Sequence, residues 1–182
     1  RDTRPDECKQ RCKDKGYEWF GQSPGHECLS AFGLLEFTDM AQVRDVDKEM
    51  LKNTRDWLLK QRDGKGGFNH ERRALHTWIT DPGCSNGYCT WSLLETGEKP
   101  EDLAAEIKWL KDHAAGDPNS YVTALAANVM ALAGDKDAAK MFMEKLRKQQ
   151  DKDEKGVSVS HSFGSPVLPN GSTGSSDRAI LI

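Results

Sequence analysis

No stretch of the 182-residue sequence approaches the ~18 to 20 consecutive apolar residues that a membrane-spanning helix needs. The opening Arg1-Asp2-Thr3-Arg4-Pro5 has no signal-like apolar segment either, so neither a membrane span nor a cleavable leader is expected. Charge of one sign is scarce: 26 Lys and Arg stand against 29 Asp and Glu, a net charge of −3. A nucleic-acid partner, which needs a basic face, is therefore excluded. Gly-x-Ser-x-Gly, phosphate-loop and dinucleotide motifs are all missing. Cysteine is sparse and odd in number: Cys8, Cys12, Cys28, Cys84 and Cys89 leave at least one free thiol or one intermolecular bond. The apolar share of 36% supports a modest core, and the length fits one domain.

What the sequence does have is helical periodicity. After Lys15-Gly16-Tyr17-Glu18-Trp19-Phe20-Gly21, an aromatic cluster fenced by glycines, the stretch from His26 to Met40 repeats apolar residues at three- and four-residue steps. Leu29, Phe32 and Leu35 form its stripe, and Leu34 and Phe37 widen it, predicting a largely buried helix. Asp47 can cap a second helix over Lys48–Arg62, with Leu51, Thr54, Trp57 and Leu58 on one face. The run Asp63-Gly64-Lys65-Gly66-Gly67-Phe68 stops it, because glycines supply the left-handed angles of a tight turn.

Two more hairpins follow. Ser85–Glu95 carries Tyr88, Trp91, Leu93 and Leu94, and Pro100 sits at the first turn of a partner lined by Leu103, Ile107 and Leu110. Asn119 or Ser120 can cap the very apolar Tyr121–Ala133, and Lys136–Gln150 returns as an amphipathic helix with Met141, Met143 and Leu146.

The pairs repeat. Leu34-Leu35-Glu36 corresponds to Leu93-Leu94-Glu95 and to Met130-Ala131-Leu132, while Trp57, Trp109 and Leu146 correspond at steps of 52 (57 to 109) and 37 (109 to 146). In each pair the first helix is apolar nearly all round and the second is one-sided. The expected fold is all-α: a partial α/α toroid of about six helices, with an inner ring wrapped by an outer one. A right-handed solenoid or an irregular bundle would give similar patterns. Residues 1–155 form this region; the Ser/Gly-rich 156–182 is an irregular tail or a β-hairpin, with strand-like Val157-Ser158-Val159-Ser160 and an Asn170-Gly171 turn. Ala179-Ile180-Leu181-Ile182 looks like the start of another apolar helix, so that the chain stops in mid-repeat.

Chemistry is harder to find. Zinc knuckles pair cysteines about two to four residues apart, a spacing that Cys84 and Cys89 miss. Cys28 and Cys89 are better read as small buried residues of inner helices. His70-Glu71 with His76 resembles a zinc-protease helix, but six residues rotate the second histidine by about 600°, away from the first. His26-Glu27 is a polar pair where the ring end would lie, and a helix-start Glu favoured by the local dipole explains it. Glu36 and Asp39 are the nearest approach to an acidic cluster on an inner helix. Asn170-Gly171-Ser172 is a glycosylation pattern in a eukaryotic secretory setting.

Gly25-His26-Glu27, Ser30-Ala31-Phe32-Gly33-Leu34-Leu35-Glu36-Phe37-Thr38-Asp39-Met40, Trp57-Leu58-Leu59, Asp63–Phe68 and Tyr121-Val122-Thr123-Ala124-Leu125-Ala126-Ala127-Asn128 together resemble the thioester-containing helical domain of alpha-macroglobulins, especially bacterial-type ones, over roughly residues 15–155. The resemblance implies a toroid within a larger extracellular or cell-envelope protein. In that family a protease cleaves a bait segment, the protein rearranges, and a Cys–Gln thioester can acylate the trapped enzyme. The Cys-Gly-Glu-Gln motif is missing from these residues; Glu7-Cys8-Lys9-Gln10 comes nearest, with one residue between Cys and Gln instead of two. The implied role is endopeptidase inhibition by the parent, with proteases and other macroglobulin domains as partners. No enzymatic activity, no cofactor, and no catalytic, cofactor-binding or metal-binding residue is assigned to this chain. An isoprenoid-type toroid enzyme, similar to terpene cyclases or prenyltransferases, is the first alternative; a helical-repeat protein-binding scaffold is the second.

Overall fold

A computed structural model describes residues 15–18, 23–69 and 81–148 and the strands 150–153 and 156–159. Among them are six α-helices: α1 (Glu27–Met40), α2 (Lys48–Lys60), α3 (Pro82–Glu95), α4 (Ala104–Gly116), α5 (Ser120–Leu132) and α6 (Lys136–Lys148). Pro100–Leu103 forms a 3-10 turn that leads into α4. Each start has a local cause. Asp47 accepts hydrogen bonds from the Glu49 and Met50 amides, Asp81 from Gly83, and Asn119 from Tyr121, so side-chain oxygens satisfy donors that a helix start leaves without partners. Helix α3 begins at Pro82, three residues before the Ser85 expected from the apolar pattern. The reason is the pair Asp81-Pro82: a cap followed by a proline whose fixed φ suits the first helical position.

The inner helices run parallel. Ser92 Oγ donates to the Ala31 carbonyl at 2.9 Å across 61 positions, and the Cys89 thiol bonds Cys28 across the same interval (28 to 89). Between α3 and α5 the interval is 38: Asp81 meets Asn119, and Gly87 lies against Leu125. A constant offset is the signature of parallel alignment. The outer helices return on the other side: α2 packs on α1, α6 on α5, and α4 on both α3 and α5. This is the partial α/α toroid of the sequence reading. Helix α5, the most apolar segment, buries Val122, Ala126, Val129 and Met130 completely.

Two helix faces differ from those expected. On α1 the buried stripe is Cys28, Ala31 and Leu34, whereas Phe32 is 48% exposed and Leu29 and Leu35 are half-buried. The small Cys28 and Ala31 face α3 because helix axes approach only as closely as their contact side chains permit. On α6 the buried series is Ala138, Phe142 and Leu146, spaced by four, while Met141 and Met143 are exposed.

The turn after α2 is clasped from within. Asp63 Oδ1 accepts from the Lys65 and Gly67 amides at 2.7 and 3.0 Å, and the buried Asn86 of α3 accepts from the Phe68 amide at 3.0 Å. Gly97 and Gly134, at φ +101° and +79°, end α3 and α5 in the same left-handed manner. Beyond α6, strands β1 (Gln150–Asp153) and β2 (Gly156–Val159) pair antiparallel, Gln150 opposite Val159 and Asp153 opposite Gly156. The strand character read at Val157–Val159 is present, with its partner upstream of residue 156.

Candidate functional site

Parallel inner helices place their N-termini at one end of the ring, where chemistry-bearing residues gather. His26 caps α1 in place of the usual Ser, Thr, Asp or Asn: its Nδ1 accepts from the Cys28 amide at 3.2 Å. Glu27 Oε2 comes to 3.8 Å from the same atom. Glu27, in the first turn of α1, is only 5% exposed and lies where the helix dipole favours a negative charge. Ser30 ties the preceding loop to this end, accepting from the Tyr17 amide at 2.8 Å while donating to the His26 carbonyl.

Below the caps lie three thiols, Cys28, Cys84 and Cys89, all buried and none in a disulfide. Burial pushes the Cys84 thiol far up, with the charges of Asp81 and Asp117 adding to the effect and a hydrogen bond from Asn119 opposing it. Cys89 is raised by complete burial first, then by its bond to Cys28. Because the thiolate is the reactive form, these two are held as inert thiols at neutral pH. Tyr88 and Tyr121 flank them, and burial raises both phenols as well.

Above the ordinary thiol value of 9.0 the unfolded chain loses the thiol protons while the folded chain keeps them, so the unfolded state binds fewer protons and stability falls as pH rises. Each thiol contributes about 1.4 kcal/mol per pH unit. The expected loss from Cys84 and Cys89 is therefore about 2 to 3 kcal/mol between pH 8 and pH 10. Urea midpoints measured at the two pH values, for the wild type and a Cys84→Ala, Cys89→Ala double variant, check this. An equal decline in both proteins would contradict the assignment.

Two groups of the described residues bring three candidate ligand atoms within 4.8 Å of one another: His26, Glu27 and Cys28, which are buried, and Asp81, His113 and Asp117, which are half-buried. In the first, the His26 and Cys28 donors are already engaged in the cap and the thiol pair. The second joins the end of α4 to the cap of α3, and sequence reasoning missed it. Its members lie 32 and 4 positions apart (81 to 113, 113 to 117), and only the spacing of His113 and Asp117 on one helical face could have drawn attention to it.

The residues singled out earlier distribute as follows. Glu36 and Asp39 are exposed on the C-terminal half of α1, away from the capped end. Cys84 and Cys89 share α3, with Cys84 against Asn119 and Cys89 against Cys28. Cys8, Cys12, Gln10, His70, Glu71, His76 and Asn170 lie outside the described residues.

The family model of the A-macroglobulin TED domain matches residues 6–162. Among solved structures, E. coli alpha-2-macroglobulin in its native conformation is similar over 81% of this chain, with a TM-score of 0.59 and 13% sequence identity. The chain spans only 9% of the length of that protein. At such identity the likeness is one of fold.

Proposed function

The chain belongs to the A-macroglobulin TED domain family, and from that premise we propose that it is a helical module of an alpha-macroglobulin-type protease trap, lacking a thioester of its own. The match over residues 6–162 carries this reading. In the parent protein, the ring of parallel helices supplies packing surface for neighbouring macroglobulin domains, and proteases are the targets of the whole assembly. The proposed location is extracellular or at the cell envelope.

The chemistry of the described residues is in keeping with a packing role. Acylation of a protease needs an activated acyl group, and the sequence has no Cys-Gly-Glu-Gln. The buried thiols Cys84 and Cys89 are held protonated, which suits structural filling. Ionising an isoprenoid diphosphate needs clustered carboxylates in a cavity, and Glu36 and Asp39 stand exposed on α1, so the toroid-enzyme alternative is not favoured. We propose that the chain is not an enzyme.

The test uses the purified 182-residue chain and the longer protein from which the proposal takes it to come. With trypsin, the isolated chain is expected to leave hydrolysis of both a large protein substrate and a small chromogenic peptide unchanged. The longer protein is expected to suppress cleavage of the large substrate while sparing the peptide, since a caged protease stays open to small molecules. Stoichiometric inhibition by the isolated chain, or turnover of either substrate without trypsin, would overturn the proposal.

A further inference from the structure

The end of α4 sets an imidazole against the start of α3. His113, in the last turn of α4, stacks on Trp109 one turn earlier, with ring centroids 4.6 Å apart and planes 12° from parallel. The stack fixes the ring so that its Nε2 points at the first turn of α3. There Gly83 makes room: a Cβ at that position would sit 2.9 Å from Nε2. The nitrogen is shielded from solvent and makes no hydrogen bond, although Asp117 Oδ2 lies 3.1 Å away. A buried imidazole nitrogen without a hydrogen bond is costly, and such an atom calls for an explanation.

The two carboxylates are pre-oriented by the backbone. Asp117 Oδ1 accepts from the Asn119 amide at 2.8 Å, which leaves Oδ2 facing His113. Asp81 Oδ1 accepts from the Gly83 amide at 2.7 Å, and its Oδ2 receives only a long contact of 3.4 Å from the Asn119 side chain. One ligand atom from each of Asp81, His113 and Asp117 falls within 4.8 Å of the others. A tetrahedral ion with bonds of 2.0–2.2 Å needs ligand separations of about 3.4 Å. The His113–Asp117 edge, 3.1 Å, already has nearly that length, and an Asp81 oxygen lies within 4.8 Å of both. Lys145 of α6, which bonds the same helix end, is occupied: its Nζ donates to the carbonyls of Ala114, Ala115 and Asp117.

We propose that Asp81, His113 and Asp117 form a binding site for one divalent transition-metal ion of the Zn2+ type, which ties α4 to the start of α3. One imidazole nitrogen and two carboxylate oxygens make a borderline-to-hard donor set, and water completes the coordination on the half-exposed side. Both Asp81 and Asn119 cap inner helices, so the ion clamps an outer helix to the capped end of the ring. Its effect is on stability: an ion that binds only the folded state stabilises it by mass action. The inference stands apart from the protease-trap reading, since it uses only the geometry of α3 and α4.

The experiment uses the whole chain, stripped of metal with a chelator and dialysed. Zn2+ at a hundredfold excess over its measured Kd is expected to raise Tm by about 5 to 10 °C. Co2+ in its place is expected to give tetrahedral d–d absorption without a thiolate charge-transfer band, which separates this site from any cysteine site. His113→Gln and Asp117→Asn should each weaken binding at least about tenfold; the second keeps an oxygen for the Asn119 amide. Failure of Zn2+ to bind, a thiolate band with Co2+, or undiminished affinity in both variants would each overturn the proposal.

Discussion

Replacing Gly66 by alanine is expected to destabilise the chain by about 3 to 4 kcal/mol, against about 1 kcal/mol for Gly64→Ala only two residues away. Both glycines have left-handed backbones, φ +97° and +72°, so both substitutions carry the conformational cost of a Cβ there. Their surroundings differ. A Cβ on Gly64 meets nothing within 4 Å, whereas one on Gly66 would lie 2.7 Å from both the Ala105 carbonyl oxygen and Trp109 Cβ. Those atoms belong to α4 and cannot swing aside like the end of a flexible side chain. Nor can the turn back away freely, since Asp63 holds two of its amides and Asn86 holds a third, on the buried Phe68. Moving Gly66 out therefore endangers the junction of α2, α3 and α4 together. Urea midpoints of the two variants give the comparison, and equal losses would show that the close approach to α4 carries no weight.

Phe142→Ala is expected to cost about 3 to 5 kcal/mol, while Met141→Ala and Met143→Ala stay within about 0.5 kcal/mol of wild type. Phe142 is wholly buried between α6 and the inner layer, and its removal leaves a cavity that the rigid α5 face cannot fill. The two methionines beside it are about half exposed and lose little on truncation. Thermal unfolding of the three single variants checks this, and a methionine variant as unstable as Phe142→Ala would mean that α6 is rotated from the orientation described.

The α6 comparison shows where sequence reading succeeds and where it stops. Amphipathicity marked Lys136–Gln150 as an outer helix, because its charges crowd one side. Yet Met141, Phe142 and Met143 are consecutive, and periodicity alone does not say which of the three faces inward. The i, i+4 series Ala138, Phe142, Leu146 is the one that lies flat on α5. On α1, the periodic stripe is Leu29, Phe32 and Leu35, but Cys28, Ala31 and Leu34 are the buried residues, and the small Cys28 and Ala31 meet α3. Close packing of parallel helices selects small residues for the interface, so size misleads when burial is judged by hydrophobicity alone.

The capped end of the ring was legible only in part. The position of His26-Glu27 at the ring end and the burial of Cys28 and Cys89 on inner helices were legible. That the Cys28 and Cys89 thiols meet, or that Cys84 lies against Asn119, depends on the 61- and 38-residue offsets between helices. Asp81, His113 and Asp117 were invisible as a group because one belongs to a cap and two to a helix end.

By itself the sequence determined the helices, their caps and glycine stops, their sorting into buried and half-buried kinds, and the family. These are local quantities, set by backbone angles, by hydrogen-bond donors at helix starts, and by the 3.6-residue period. Tertiary structure decided which side of each buried helix meets its neighbour, which turn is braced by a distant amide, and which acids and imidazole converge. Those choices depend on the relative shift and rotation of whole helices, which the energy of close packing sets and no single segment encodes.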